Sequence, residues 1–298
     1  MQSILSIRGI SKNYGSIQAL NNVSFEVPQG CVFGILGPNG SGKTTLLSII
    51  LDILQAKSGS YAWFGKPGSA ETRKLIGSLL ETPNFYHYLS AVDNLNITHA
   101  ISGRGDAADI DRVLEIVKLS ARKKSKFKTY SLGMKQRLAI GAALLGNPDV
   151  LVFDEPTNGL DPVGIAEIRE LIKQLARDGK TIIMASHLLD EVEKVCTHVA
   201  ILKKGNLLTA GPVDEVLANE DIVEVSAQNT DQLKQILEQL QGYTHLKQDG
   251  KLFHMFYPIG TANLEQVNQY CYERGIILNQ LLLKKKSLET KFFELTND

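Results

Sequence analysis

Short apolar runs alternate along the first two thirds of the chain with stretches in which apolar positions recur every three or four residues. Val32 to Leu36, set between Gly30 and Gly37, reads as a buried strand; Leu46, Leu47, Ile50, Ile53 and Leu54 then fall at helical spacing with no Pro or Gly among them. Val150 to Phe153 is a second buried-strand run. It is followed by Ile165, Ile168, Leu171, Ile172 and Leu175 along one face of a helix that stops near Gly179, and by a third strand over Thr181 to Ala185. Such alternation predicts an α/β fold with a largely parallel sheet. Between these units, over about residues 83–146, helical periodicity dominates, as in Ile110, Val113, Leu114, Ile116 and Val117, and a helical insertion is expected. After Gly211 the pattern changes. Ile222 to Val225, Lys251 to Phe256 and Ile276 to Leu283 read as strands, and Leu233 to Leu240 and Leu264 to Tyr272 have helical spacing. A first domain over residues 1–217 and a small C-terminal α+β domain over 218–298 are therefore expected. The closing segment Ser287 to Thr296 reads as a terminal helix, with Phe292, Phe293 and Leu295 docked on an apolar surface.

Composition narrows the classes. Hydrophobic residues make up 43% and charged residues 21% of 298, which suits packed cores and excludes general disorder. Lys plus Arg and Asp plus Glu are both 32, so no global field draws the chain to nucleic acid, and no nucleic-acid partner is expected. No run approaches the ~18–20 apolar residues of a membrane-spanning helix, and Met1 to Gly9 has no secretory core. A cytoplasmic location is expected on those grounds. Cys31, Cys196 and Cys271 stand far apart without a C-x-x-C pair and read as buried small hydrophobes. His87, His99, His198, His245 and His254 show no metal-ligand spacing, and Lys284 to Lys286 reads as a solvated strand end.

The chemistry concentrates at two strand ends. Gly37, Pro38, Asn39, Gly40, Ser41, Gly42, Lys43 and Thr44 fit G-x-x-x-x-G-K-[ST] between a predicted strand and a predicted helix, and Thr45 continues the same candidate site. Glycines let consecutive N–H groups curl inward around phosphate oxygens while the helix presents its positive end. Lys43 supplies a mobile charge for the β- and γ-phosphates, and the Thr44 hydroxyl is placed to ligate Mg²⁺. The strand Leu151 to Phe153 ends in Asp154 and Glu155. Asp154 is then a metal-directed carboxylate, and Glu155 is the candidate that orients or deprotonates the attacking water.

Further stretches follow in order: Tyr14, Glu81, Tyr130-Ser-Leu-Gly-Met134, Glu155-Pro-Thr-Asn-Gly-Leu-Asp161 and Ser186-His187. Over about residues 3–217 the chain resembles an ATP-binding-cassette ATPase, and from Asp154 to Pro162 it is similar to the bacterial exporter branch that includes bacitracin-resistance-type ATPases. The resemblance implies a P-loop NTPase cassette with a mostly parallel core sheet, an antiparallel β edge and a helical insertion. It implies ATP and Mg²⁺, a second copy of the chain as head-to-tail partner, and separate transmembrane permease subunits that hold the cassettes on the inner face of the cell membrane. On the matching positions, Tyr14 would stack on adenine, Ser131 and Gly133 would touch the γ-phosphate bound to the partner, Asp161 would couple the two sites, and His187 would donate to the γ-phosphate. The family's signature Leu-Ser-Gly-Gly-Gln is here Tyr-Ser-Leu-Gly-Met, so Leu132 and Met134 depart from it while Ser131 and Gly133 do not. Glu81 stands where the family usually has a metal-facing glutamine, which adds negative charge beside the triphosphate. Phe85 to Leu95 would meet the membrane subunit. The alternative reading is a soluble cassette ATPase acting on ribosomes or DNA. Those branches typically carry two cassettes or a long coiled-coil insertion, and this sequence has neither.

Overall fold

The computed structural model describes residues 2–80, 84–217, 221–285, 288 and 292. It comprises two compact units, Met1–Pro212 and Val213–Asp298. The first unit runs to Pro212, which still pairs with His198 at the end of a sheet strand.

In chain order the first unit contains β1 (Ser3–Tyr14), β2 (Ile17–Pro28), β3 (Val32–Leu36), α1 (Lys43–Ile50), β4 (Ser58–Trp63), β5 (Lys66–Pro67), α2 (Ala70–Lys74) and β6 (Ile76–Leu79). There follow α3 (Ala91–Ser102), α4 (Ala107–Ile116), α5 (Leu132–Ala143), β7 (Val150–Asp154), α6 (Pro162–Arg177), β8 (Thr181–Ser186), α7 (Leu189–Val195), β9 (His198–Lys203) and β10 (Asn206–Pro212). The central sheet runs β10-β9-β3-β8-β7-β6. Its strands from β9 to β6 are parallel and β10 closes one edge antiparallel. Every residue of β3, β7 and β8 is buried, which explains why these strands read as continuous apolar runs instead of alternating ones. They are also neighbours, so residues just past their C-terminal ends converge, where open α/β sheets place ligands.

A second, antiparallel sheet runs β2-β1-β4-β5. It shares a core with α1 and the central sheet through Leu5, Ile7, Val23, Trp63, Leu46 and Ile50. Trp63 has no solvent exposure and its indole N–H donates to the Ile50 carbonyl at 2.7 Å, which fixes the end of α1 against this sheet. The helix is shorter than its apolar spacing predicts. Asp52 takes φ +60°, the N–H groups of Ile53 and Leu54 both turn back to the Ser48 carbonyl, and Ile53 is left exposed. The expected helical insertion is formed by α3, α4 and α5, whose Leu95, Val113, Leu114 and Leu138 are fully buried.

The second unit begins with α8 (Val213–Leu217) and continues as β11 (Asp221–Ala227), α9 (Thr230–Leu237), β12 (His245–Asp249), β13 (Leu252–Tyr257), α10 (Leu264–Tyr272) and β14 (Leu278–Lys285). Its sheet, β12-β13-β11-β14, is antiparallel throughout, giving a βαββαβ module of the split type. Val223, Val225, Phe253 and Met255 pack with Leu233, Leu237 and Val267 from the two helices. Strand β12 has no counterpart in the sequence reading because His-Leu-Lys-Gln-Asp is an exposed polar edge. The terminal helix expected over Ser287 to Thr296 lies outside the described residues except at Leu288 and Phe292. The three cysteines are buried, and desolvation pushes the Cys31 thiol up to about 12.

Candidate functional site

The loop between β3 and α1 is built around close backbone approach. A side chain at Gly37 would begin 2.3 Å from Ser41 Oγ and 2.4 Å from the Leu202 carbonyl, so only glycine fits. Gly42, at φ +105°, is the N-cap of α1 and offers no side-chain acceptor, which leaves the first N–H groups of the helix to meet an anion. Ser41 Oγ is buried and has no hydrogen-bond partner among the described residues. Lys43 is buried too. Its ammonium donates to the Gly37 carbonyl at 2.7 Å and the Pro38 carbonyl at 3.3 Å, and lies 3.6 Å from Glu155 Oε1.

The neighbouring strand ends complete the cluster. Thr44 Oγ1 donates to Asp154 Oδ2 at 2.7 Å, joining the start of α1 to the tip of β7. Glu155 follows in the left-handed region at φ +48°, and its N–H is held by the Ala185 carbonyl of β8 at 3.0 Å. That strained turn aims its carboxylate back across the strand ends. There Oε2 meets His187 Nδ1 at 2.8 Å while Oε1 faces Lys43. One carboxylate is thus shared between an ammonium and an imidazole. The hydroxyl and carboxylate oxygens of Thr44 and Asp154 are hard donors of the kind Mg²⁺ takes, and their 2.7 Å spacing suits two ligands of one small cation.

Other residues singled out in the sequence stand apart. Tyr14 ends β1 with 47% of its surface exposed and Lys12 Nζ 5.6 Å from its ring centroid. Thr45 is a half-buried first-turn residue of α1. Ser131 is the exposed N-cap of α5, accepting from the Met134 N–H at 3.3 Å, and Gly133 lies in the same first turn. Asp161 is likewise the exposed N-cap of α6, accepting from the Gly164 N–H at 2.9 Å. Among the described residues the side chains of Ser131 and Asp161 bond within their own helix starts and not to the Gly37–Thr44 loop. Glu81 lies outside the described residues. Two groups were not picked out from sequence. The Ala185 carbonyl that fixes Glu155 carries no side-chain signal, and Thr157, buried with its hydroxyl unpartnered among the described residues, enters the sequence reading only as part of the Glu155 to Asp161 stretch, with no role of its own.

Residues 20–158 match the family described as ABC transporter. Over 314 aligned positions the chain is 36% identical to the bacitracin transport ATP-binding protein BcrA of Bacillus licheniformis, an alignment that covers 99% of this chain and 98% of that protein. The chain belongs to the ABC transporter ATP-binding proteins. It is the ATP-binding subunit of a transporter and an ATPase. The lantibiotic transport ATP-binding protein SrtF of Streptococcus pyogenes is 38% identical over 205 residues, covering 69% of this chain and 89% of that protein. Among solved structures, a dimeric post-hydrolysis state of the cassette MJ0796 bound to ADP and Pi matches with a TM-score of 0.62 and 26% identity, over 70% of this ABC subunit and 98% of that cassette. The cassette fold, with a parallel core sheet and antiparallel sheets, is common to the chain and such structures. Among the described residues no helix of the subunit is long and apolar enough to cross a membrane.

Proposed function

We propose that two copies of this subunit close head to tail on two ATP molecules, and that closure drives export through separate permease subunits on the inner face of the cell membrane. The observation that carries the reading is the asymmetry of the chain. Lys43, Thr44, Asp154, Glu155 and His187 interlock at adjacent strand ends, whereas Ser131 and Asp161 cap exposed helix starts with only local partners. A triphosphate entering the loop would replace Glu155 and the two carbonyls as the partner of Lys43, freeing the Glu155 carboxylate to orient water from its His187 side. Thr44 and Asp154 would hold Mg²⁺, which when bound offsets the negative charge of the phosphates. The exposed N-terminus of α5 is suited to the partner's γ-phosphate, with Ser131 and Gly133 donating. ATP bound across both copies then favours the dimer by mass action.

The contact with the permease is proposed for Phe85 to Leu95. Tyr86 and Tyr88 are exposed there, beside a cleft of about 410 Å³ lined by Phe85, Tyr86, Ile97 and Ile101. Buried Asn94 holds both the N–H and the carbonyl of Tyr86, so the loop keeps a defined shape. Glu81 would sense the metal and relay ATP occupancy to this loop. Glu81→Gln and Glu81→Ala are both expected to alter Mg²⁺ dependence and permease-stimulated hydrolysis; two unchanged variants exclude the relay.

Relatives named for bacitracin and lantibiotic transport support a peptide antibiotic as cargo. The test is to purify the subunit with its membrane partner, reconstitute both in proteoliposomes and follow a labelled cyclic or lanthionine peptide. ATP-dependent movement away from the ATP-binding face is expected. Movement towards that face, or stimulation of hydrolysis by no such peptide, rejects the direction or the cargo respectively.

A further inference from the structure

Arg137 is a partly buried cation that the site described above does not use. It lies on α5, and its side chain is 16% exposed. Its Nη1 donates to the Val117 and Lys118 carbonyls at 3.4 and 3.5 Å, where α4 ends and Lys118 turns at φ +56°. A cation at the carbonyl end of a helix is favoured by the helix dipole, so the guanidinium head is drawn to this spot. Its Nε has no hydrogen-bond partner among the described residues and faces Glu167 Oε2 of α6 at 3.6 Å. One side chain therefore links the end of α4, the body of α5 and the body of α6.

The placement of the pair along the two helices is informative. Arg137 lies as many residues beyond the N-cap Ser131 as Glu167 lies beyond the N-cap Asp161. At about 1.5 Å per residue, each partner sits roughly 9 Å down its helix from the cap. The segments also meet near the caps: a methyl of Leu132, next to Ser131, lies 3.4 Å from where a side chain at Gly159, two residues before Asp161, would begin. Contact near the caps and again at Arg137 and Glu167 means that α5 and α6 run side by side in the same direction. At the depth of the pair and beyond it, away from the caps, a cleft of about 310 Å³ opens beside Val117, Arg137, Glu167, Glu170, Leu171 and Gln174, so the ion pair bridges a stretch where packing is incomplete.

We propose that Arg137, through Glu167, is a positioning residue that keeps the α5 and α6 caps in register, so that Ser131 and Asp161 meet the second copy as one surface. The inference rests on the head-to-tail reading. Arg137 touches no nucleotide in it; it acts through the two caps.

The experiment measures ATP-dependent dimerisation by sedimentation velocity and nucleotide affinity of the monomer by fluorescent-nucleotide titration, in the full chain carrying Glu155→Gln. Arg137→Met is expected to raise the dimer dissociation constant at least tenfold while leaving monomer affinity within twofold. Glu167→Lys, at a half-exposed position that places a like charge beside Arg137, is expected to raise it at least fivefold. Glu167→Gln has a smaller effect, and the double variant Arg137→Met with Glu167→Gln is no worse than Arg137→Met alone. Dimerisation within twofold of the parent for Glu167→Lys overturns the proposal even if Arg137→Met fails to fold. So does a parallel loss of monomer affinity, which marks a general structural defect, or full additivity of the two single variants. Ser131→Ala is the separate control. If it dimerises like the parent, the head-to-tail reading itself has failed, whatever Arg137 does.

Discussion

The loop face and the cap face of the cassette solve opposite problems. At the loop face every strong charge already has a partner inside the chain: Lys43 lies on two carbonyls and Glu155, Glu155 on His187, and Asp154 on Thr44. At the cap face Ser131 and Asp161 satisfy only the first N–H groups of their own helices, and both are exposed. A self-satisfied cluster folds without ligand and must be opened by it. An exposed helix start costs little to leave in water and gains most when an anion arrives from outside the chain. The difference supports the proposal that the chemistry belongs to one copy and its completion to another.

Removing Lys43 should break the loop face most severely. Lys43→Ala is expected to weaken ATP binding roughly 30-fold or more, since a hydrogen bond to a charged group contributes about 2 kcal/mol. Titration with a fluorescent nucleotide reads this directly, and affinity within threefold of the parent would remove Lys43 from the phosphate site. Ser131→Ala sharpens the contrast from the other side. Turnover should drop by about tenfold to a hundredfold, as for loss of one preorganised donor, while monomer affinity stays within twofold; steady-state hydrolysis and the same titration separate the two. The smallest effect is expected at Tyr14, where loss of a stacked ring costs about 1 kcal/mol. Tyr14→Ala should therefore raise the KM for ATP a few-fold with kcat nearly unchanged, and an equal rise for ATP and a purine-free triphosphate would deny the stacking.

How legible each face was in the sequence follows from the same physics. The strands β3, β7 and β8 announced themselves because burial on both faces demands unbroken apolar runs, and the loop because close approach at Gly37 admits no side chain. The roles of Tyr14, Ser131, Asp161 and His187 came only through family resemblance. Nothing in local spacing says that residues far apart in the chain end at neighbouring strands. The Ala185 carbonyl that locks Glu155, and the Arg137–Glu167 link, were invisible for that reason: each depends on strand order or helix depth, which are set by tertiary packing. The polar edge strand β12 escaped notice because an exposed edge has no apolar alternation to read.

The account stands on a site shared between two copies, and Glu155→Gln interrogates it most directly. The substitution keeps the shape of the side chain and removes its charge, so hydrolysis should fall by at least about a hundredfold while ATP still binds. Sedimentation of the purified variant with Mg-ATP is expected to give a stable dimer that reverts to monomer when ATP is withdrawn. A variant that binds ATP yet stays monomeric at every nucleotide concentration, or one that hydrolyses ATP at the parent rate, would contradict it.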